Sequence, residues 1–205
     1  MAEMSKSAFK KDLTLQPVSF LVSKWVLERV PHIFDGDILA YIRWKEGLAK
    51  GLAVDSRAII ITGSAGCGFS LNPNKNFRDF DEESDVDVAL VSQYYFDISW
   101  RRLQTLGATL YRLTQKQKAS VKDHKERLVY WGTIATDRIL PILPFAKQWV
   151  AATETFGHES PINSRDIKVR VYRDFESLRA YQTNGFYELR SGILGANKQD
   201  YEPLS

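Results

Sequence analysis

The sequence predicts an α/β fold, with a small mixed β-sheet flanked by helices and a helical N-terminal extension. Three segments predict the strands of one sheet, because each is an apolar run or an apolar–polar alternation of strand length. These segments are 58–62, 85–91 and 167–172. The segments between them are longer and space their apolar residues as helices do, so we expect helices to connect and cover the strands.

The chain has 205 residues, which suits a single domain. Residues 1–14 are polar and are predicted to form a disordered tail. Residues 15–52 are predicted to form two helices, since Pro17 suits a first helical turn and Asp35 suits an N-cap. Residues 58–192 complete the domain as its core.

Further helices are predicted around the last strand. Apolar residues recur at helical spacing over 97–130, and Pro141 and Pro144 separate that segment from a helix over 145–155. Asp174 is placed to cap a final helix. We expect the last ten residues of the chain to fray.

Two aspartates open the strand predicted at 85–91. Strand side chains alternate between faces, so Asp85 and Asp87 share one face while Val86 and Val88 point into the core. Two carboxylates about 7 Å apart on one strand can bind Mg²⁺. Carboxylate-bound Mg²⁺ is usual in enzymes that transfer phosphoryl or nucleotidyl groups. The simpler interpretation, solvated side chains on the open face of an edge strand, stays open at this point.

A Gly-Ser pair ends the first predicted strand. Gly63 and Ser64 suit a strand-to-helix turn with an N-cap serine. The same turn offers free backbone N–H groups to a phosphate, so the structural and the phosphate-binding interpretations are compatible. Gly66 and Gly68 follow at once and allow close backbone approach, or serve as simple turn residues.

Together, an apolar strand, Gly63-Ser64 and then Asp85-Val86-Asp87 on the next strand resemble the DNA polymerase β-like nucleotidyltransferase superfamily. The resemblance covers residues 58–92 and implies a nucleotidyltransferase-like fold. It implies that Gly63 and Ser64 bind the triphosphate, with Ser84 beside them, and that Asp85 and Asp87 hold Mg²⁺. The connection between the two motifs is longer than the family usually shows, which predicts an extra loop near the mouth of the site.

The resemblance also implies a third carboxylate on a later strand. Asp166, at the start of the 167–172 strand, is the candidate for this catalytic position. Arg170 lies on the same polar face and would instead neutralise a phosphate or pair with the aspartates. Asp137 and Asp174 are expected in a loop and at a helix cap.

The function that this resemblance implies is Mg²⁺-dependent transfer of a nucleoside monophosphate from ATP or another nucleoside triphosphate to a hydroxyl. The alternative is a catalytically degenerate module that binds a nucleotide or a partner protein and regulates that partner. Such short chains resemble the minimal nucleotidyltransferases of bacterial toxin–antitoxin and phage-defence loci, which implies a role in antiviral defence and a protein partner.

Composition sets further expectations about partners and location. A net charge of +3 permits a polyanionic partner without requiring one. The basic stretch 116–127 lacks the interleaved aromatics of a base-stacking surface, so a nucleic-acid partner is weakly supported. Cys67 is the lone cysteine, Met1–Lys11 lacks a long apolar core, and no apolar run is long enough to cross a bilayer. We therefore expect a cytoplasmic protein with no membrane partner.

Overall fold

A four-stranded mixed sheet organises residues 5–199, the part of the chain that the computed structural model describes. The strands are β1 (Ile59–Thr62), β2 (Val86–Val91), β3 (Thr133–Ala135) and β4 (Ile167–Tyr172). Their order across the sheet is β1-β2-β4-β3. The two central strands, β2 and β4, run parallel, while each outer strand is antiparallel to its neighbour. The prediction that three segments form strands of one sheet is confirmed.

Nine α-helices surround this sheet within the described residues. They are α1 (Lys6–Leu15), α2 (Val18–Val22), α3 (Ile38–Leu52), α4 (Gly63–Cys67), α5 (Gln93–Gln104), α6 (Thr109–Arg112), α7 (Gln115–Asp123), α8 (Ala146–His158) and α9 (Phe175–Gln199). Two of them, α2 and α7, continue into single π-helical turns. None of the helices in residues 5–199 is both long and apolar enough to span a bilayer.

The two faces of the sheet differ in chemistry. One face packs its apolar side chains against α3, α5 and α8 to form the main core, and Val86, Val88 and Val171 are each at most 1% exposed. On the opposite face, a smaller cluster of Ala89, Tyr172 and Leu178 anchors the start of α9. The polar side chains of β2 and β4 share this second face, because strand side chains alternate.

Strand register places polar residues in one row on that second face. Thr62 of β1 pairs with Asp87 of β2, and Asp87 pairs with Lys168 of β4. Because paired residues of neighbouring strands point to the same side, these three side chains leave the sheet together.

Strand β3 is not predicted from the sequence. It has three residues, all buried, and therefore shows no alternation. Tertiary contacts hold it: the hydroxyl of Thr133 donates to the Val171 carbonyl at 3.1 Å, and the Ala135 N–H donates to Nε2 of the buried His124 at 3.1 Å. Burial lowers the pKa of His124, which favours the neutral ring that accepts this bond.

The N-terminal segment is helical, so the prediction of a disordered tail is wrong over residues 6–14, while residues 1–4 lie outside the described residues. Phe9 and Leu13 of α1 are fully buried in a second apolar cluster, which they form with α2, its π-helical turn and α9. The guanidinium of Arg190 on α9 donates to the Leu13 and Gln16 carbonyls at 2.7 and 2.6 Å, which satisfies the C-terminal end of α1. Only two side chains of α1 are buried, and the residues that they contact are distant in sequence. The polar composition of the segment therefore gave no indication of a docked helix.

Two other helix boundaries differ from prediction. The N-cap of α3 is Asp37, which accepts from the Leu39 and Ala40 N–H groups, whereas Asp35 ends the preceding 3₁₀ turn with a φ of 47°. The single helix predicted over 97–130 is broken into α5, α6 and α7, because Gly107 adopts a φ of 46° and Thr114 begins α7 with a capping box.

The Asp174 cap is confirmed by its 2.6 Å bond from the Ser177 N–H. The predicted fraying of residues 196–205 falls largely outside the described part of the chain; α9 extends to Gln199.

We predict that Phe9→Ala lowers the free energy of unfolding by about 3–5 kcal/mol. The Phe9 ring lies 5.0–5.9 Å, centroid to centroid, from those of Trp25, Phe69, Phe77 and Phe186, so its loss opens a cavity among four aromatic rings. Urea denaturation followed by circular dichroism measures the change.

The matched control is Leu15→Ala on the same helix, whose side chain is 67% exposed and whose loss should change stability by less than about 0.5 kcal/mol. Equal effects of the two substitutions would mean that α1 does not dock in solution.

Candidate functional site

The two aspartates lie on either side of Val86, the first residue of β2, so the strand begins one residue later than predicted and only Asp87 lies within it. Asp87 lies on the polar face of the sheet, while Val86 and Val88 on either side are buried in the main core. Asp85 lies immediately before the strand and is half-buried. The β2 main chain therefore fixes both carboxylates relative to a rigid sheet.

The Gly-Ser turn lies directly beside Asp87. Gly63 begins α4 with a φ of 62°, and a Cβ atom added to it would lie 2.5 Å from Oδ2 of Asp87. Only glycine allows this carboxylate to approach the turn, for reasons of both backbone conformation and space. The two motifs, 24 positions apart in the sequence by their numbers, are thus adjacent in the fold.

A polar cavity of about 700 Å³, which we call the cleft, opens over this point. Its walls are the Gly-Ser turn, the connection after α4, the polar face of β4 and one side of α9. The cleft contains four cationic side chains, which are Lys75, Arg127, Lys168 and Arg170. Its acidic side chains are Asp87, Asp137 and Glu188. Polar groups of both signs and an open mouth suit a hydrated, charged ligand rather than an apolar one.

Two cationic side chains of β4 hold defined partners here. The Lys168 ammonium forms an ion pair with Asp85, and the Arg170 guanidinium donates to the Tyr181 hydroxyl and lies 4.9 Å from the Tyr181 ring centroid. The hydrogen bond from Lys168 to Asp85 raises the pKa of Lys168, with further support from Asp87 and Asp137. Lys168 is therefore a firmly charged group at neutral pH.

The Asp87 carboxylate is in a less favourable environment. Solvent reaches it from the cleft, yet protein atoms surround it closely enough that burial raises its pKa. Arg170 opposes this shift, and the neighbouring Asp85 reinforces it. A cation bound beside Asp87 would stabilise the charged carboxylate and so offset both the effect of burial and the repulsion by Asp85.

Ser84 is held away from a ligand. Its hydroxyl donates to Oδ1 of Asp81 at 2.7 Å and accepts from the Asp81 N–H at 3.1 Å. Ser84 lines a cavity of about 70 Å³ together with Asp85, Asp87 and Ser64. It therefore borders the site, but its hydroxyl is committed to shaping the loop before β2.

The structure places Asp166 differently from the first two aspartates. Asp166 lines a separate cavity of about 680 Å³, which we call the side cavity, and lines neither cavity that contains Asp87. Asp137, in the 3₁₀ turn after β3, lines both the cleft and the side cavity. Of these two acids, only Asp137 lines a cavity that also contains Asp87, and the assignment of Asp166 stays a prediction.

The sequence analysis did not predict that Asp137 and one side of α9 line the cleft. No local signal marks Asp137, because it follows a strand too short to recognise. The position of Lys168, by contrast, can be predicted from the sequence, because the alternation over 167–172 places its side chain on the polar face of the strand. Cys67, the last residue of α4, has a buried thiol that donates to the Trp25 carbonyl, and burial raises its pKa to about 11.

Among residues 5–199, no group of three or more His, Cys, Asp and Glu side chains is arranged to hold a metal ion. Asp85 and Asp87 remain two oxygen ligands at one edge. Mg²⁺ is usually held by one or two carboxylates together with substrate phosphates rather than by an all-protein cage. The donor set therefore fits a magnesium ion that arrives with a phosphate ligand.

Comparisons of the chain with protein-family models, with curated proteins and with solved structures find no match.

We predict that Gly63→Ala lowers the free energy of unfolding by about 1–3 kcal/mol, through left-handed backbone strain and the contact with Asp87. The control is Gly192→Ala in α9, where an added Cβ meets nothing within 4 Å. That substitution should raise stability by roughly 0.5–1 kcal/mol, because alanine is the better helix former. Thermal and urea unfolding measure both, and a Gly63→Ala protein as stable as wild type would contradict the close approach.

We predict that Asp87→Asn raises the free energy of unfolding at pH 7 in EDTA, because the amide avoids the burial penalty of the carboxylate. The folded pKa of Asp87 lies above its unfolded value, so the native state binds the extra proton between these two values. Wild-type stability therefore increases as the pH falls through that interval, and the advantage of the variant vanishes below about pH 4.

Urea unfolding from pH 4 to pH 8 tests this difference. Glu46→Gln, at an exposed carboxylate on α3, should leave stability unchanged at every pH. An Asn variant that is less stable than wild type at neutral pH would show that Arg170 outweighs the burial of Asp87.

Proposed function

We propose that this chain is a Mg²⁺-dependent nucleotidyltransferase, which transfers a nucleoside monophosphate from a nucleoside triphosphate to a hydroxyl acceptor. The observation that supports it best is the direct approach of the Gly63 turn to the Asp87 carboxylate at the mouth of a cationic cleft. Phosphate and metal ligands must lie side by side for this reaction, because a magnesium ion held by Asp85 and Asp87 would neutralise charge on the adjacent phosphates. On this proposal the fold is nucleotidyltransferase-like and related to the DNA polymerase β-like superfamily.

The triphosphate is assigned to the part of the cleft next to Gly63 and Ser64. Gly63, Ser64 and Asp87 all line the cleft, and Ser64 lines both cavities that contain Asp87. The cations of the cleft offset the negative charge of the triphosphate. Lys75 and Lys168 lie on opposite walls, one in the connection after α4 and the other on β4.

Asp85 and Asp87 would hold the magnesium ion, which when bound neutralises charge that develops on the phosphates. Asp87 supplies a carboxylate whose burial favours a cationic partner, and Asp85 supplies one that Lys168 already holds in place. Lys168 and Asp85 have 42% and 38% of their side chains exposed, so their ion pair is weak enough to be exchanged.

Transfer also requires a base for the acceptor hydroxyl. Asp137 lies where the cleft and the side cavity meet, so an acceptor that enters through the side cavity reaches this carboxylate next to the triphosphate. In the step, the hydroxyl proton passes to the carboxylate and the hydroxyl oxygen bonds to the α-phosphorus. The bond from that phosphorus to the bridging oxygen breaks, and pyrophosphate leaves.

A second candidate function is supported by the cations of β4. Lys168 pairs with Asp85, and Arg170 lies two positions farther along the same face, where the resemblance implies an acid. This arrangement favours a module that binds a nucleotide through its phosphates and regulates a partner protein without transfer. Binding is common to both candidates, and pyrophosphate release separates them.

We predict that Mg²⁺ with ATP or another nucleoside triphosphate stabilises the wild-type chain. At a ligand concentration about 100 times Kd, mass action adds about 2.7 kcal/mol, which raises Tm by about 5–10 °C for a chain of this size. Asp85→Asn/Asp87→Asn should abolish the Mg²⁺-dependent part of the shift. The control is Glu28→Gln/Glu46→Gln, which removes two exposed carboxylates that line none of these cavities.

Absence of any shift with Mg²⁺ and each of the four common triphosphates would contradict both candidate functions. Where binding is present, release of pyrophosphate, or transfer of label from α-labelled triphosphate to an acceptor, decides for the transferase. In that assay Asp137→Asn should lower kcat by about 10²–10⁴-fold with binding retained, while Asp166→Asn, in the same side cavity, should retain turnover. The reverse outcome would assign the base to Asp166.

A further inference from the structure

One ammonium group lies among the acids of the site. Lys168 forms an ion pair with Asp85, is the direct register partner of Asp87 on β2, and lines both cavities that Asp137 lines. The three acids come from distant segments: Asp87 from β2, Asp85 from the loop before it and Asp137 from the turn after β3. Lys168 of β4 therefore lies among acids that only the fold brings together.

The site needs a positive charge at this place. Asp87 on β2 and Asp85 just before the strand are two carboxylates only two positions apart, and like charges at close range repel. The Lys168 ammonium contacts the Asp85 carboxylate and is the register partner of Asp87, so it lies in the electrostatic field of both acids. A small cation bound to Asp85 and Asp87 would experience the same field.

The other cations on the β4 side of the cleft are held elsewhere. Arg170 is directed to Tyr181 by a hydrogen bond and by the face of the ring. Arg127 forms a two-bond ion pair with Asp123 at 2.9 and 3.0 Å. Within the described residues, Lys168 is therefore the cation that pairs directly with Asp85 and is also the register partner of Asp87.

We infer that the Lys168 ammonium is the counter-ion of Asp85 and Asp87 in the absence of ligand. It prevents a free divalent cation from binding to the two aspartates, and only a cation that arrives with a triphosphate displaces it. This inference rests on the proposed binding of a metal–triphosphate complex, and Lys168 acts in it as a positioning residue. A bare divalent ion must displace the ammonium and then lie beside it, and like charges at close range repel. A triphosphate supplies negative charge for the released ammonium, which already lines the cleft.

The test uses the full chain, freed of metal with EDTA and dialysed, and Mn²⁺ or Mg²⁺ alone as the probe. Lys168→Met removes the ammonium and keeps the length of the side chain. Mn²⁺ affinity is measured by calorimetry and by the loss of the free-ion paramagnetic resonance signal. We expect Lys168→Met to bind Mn²⁺ at least about tenfold more tightly than wild type, and to gain a Mg²⁺-dependent rise in Tm without nucleotide.

Two matched variants separate this role from a general charge effect. Lys75→Met removes one positive charge from the connection after α4, which also lines the cleft, and should change Mn²⁺ affinity by less than about threefold, because solvent screens this exposed charge. Lys168→Arg keeps the charge and should keep the weak affinity of wild type. Equal affinities for wild type and Lys168→Met, or equal tightening by Lys75→Met, would overturn the inference.

Folding of the variant and the proposed function are tested separately. If Lys168→Met unfolds in EDTA, Mn²⁺ should restore its circular dichroism spectrum; failure of Mn²⁺ to do so for both Lys168→Met and Lys168→Gln would overturn the inference. Because the probe is metal alone, tighter Mn²⁺ binding supports the role of Lys168 whether or not triphosphate stabilises wild type. Triphosphate binding by wild type with no tightening in Lys168→Met would leave the proposed function intact and remove this role.

Discussion

The parallel pairing of β2 with β4 is the constraint on which the rest of the structure depends. It joins two strands separated by a long, mostly helical crossover, and its register places Asp87 beside Lys168 and Ala89 beside Arg170. Alternation then directs every second residue of both strands into the main core and the remainder toward one polar face. A shift by a single residue would bury the charged side chains and expose the valines, so hydrophobic burial itself fixes the chemistry of the cleft.

A second apolar cluster supports the Gly-Ser turn from the other side. Cys67 at the end of α4 and Phe69 just beyond it are buried in the cluster that contains Phe9 and Trp25. The long connection after α4 is thus anchored at its start, and its polar portion remains free to form one wall of the cleft. The N-terminal helix and α9 therefore contribute to the site through packing, although the chain ends are far from it in sequence.

The site concentrates charge at a cost to stability. Desolvation by the surrounding protein raises the pKa of Asp87, although solvent reaches the carboxylate, and Gly63 adopts a φ of 62° that other residues rarely adopt. Lys168 offsets part of the cost by neutralising Asp85. Such a balance is expected where a protein must bind a cation and phosphate reversibly, because a site already satisfied by its own side chains would have little affinity left for a ligand.

The sequence by itself determined the three longer strands, the Gly63 turn and the face on which Asp85 and Asp87 lie, because apolar periodicity and glycine conformation are local properties. It did not determine β3, the docking of α1 or the third carboxylate. Those depend on contacts between segments more than 100 positions apart, such as Phe9 with Phe186, or on a strand of three residues with no period to detect. Only the tertiary structure decided that Asp137 lines both the cleft and the side cavity while Asp166 lines the side cavity alone, since that placement follows from how β3 pairs with β4 and not from either segment alone.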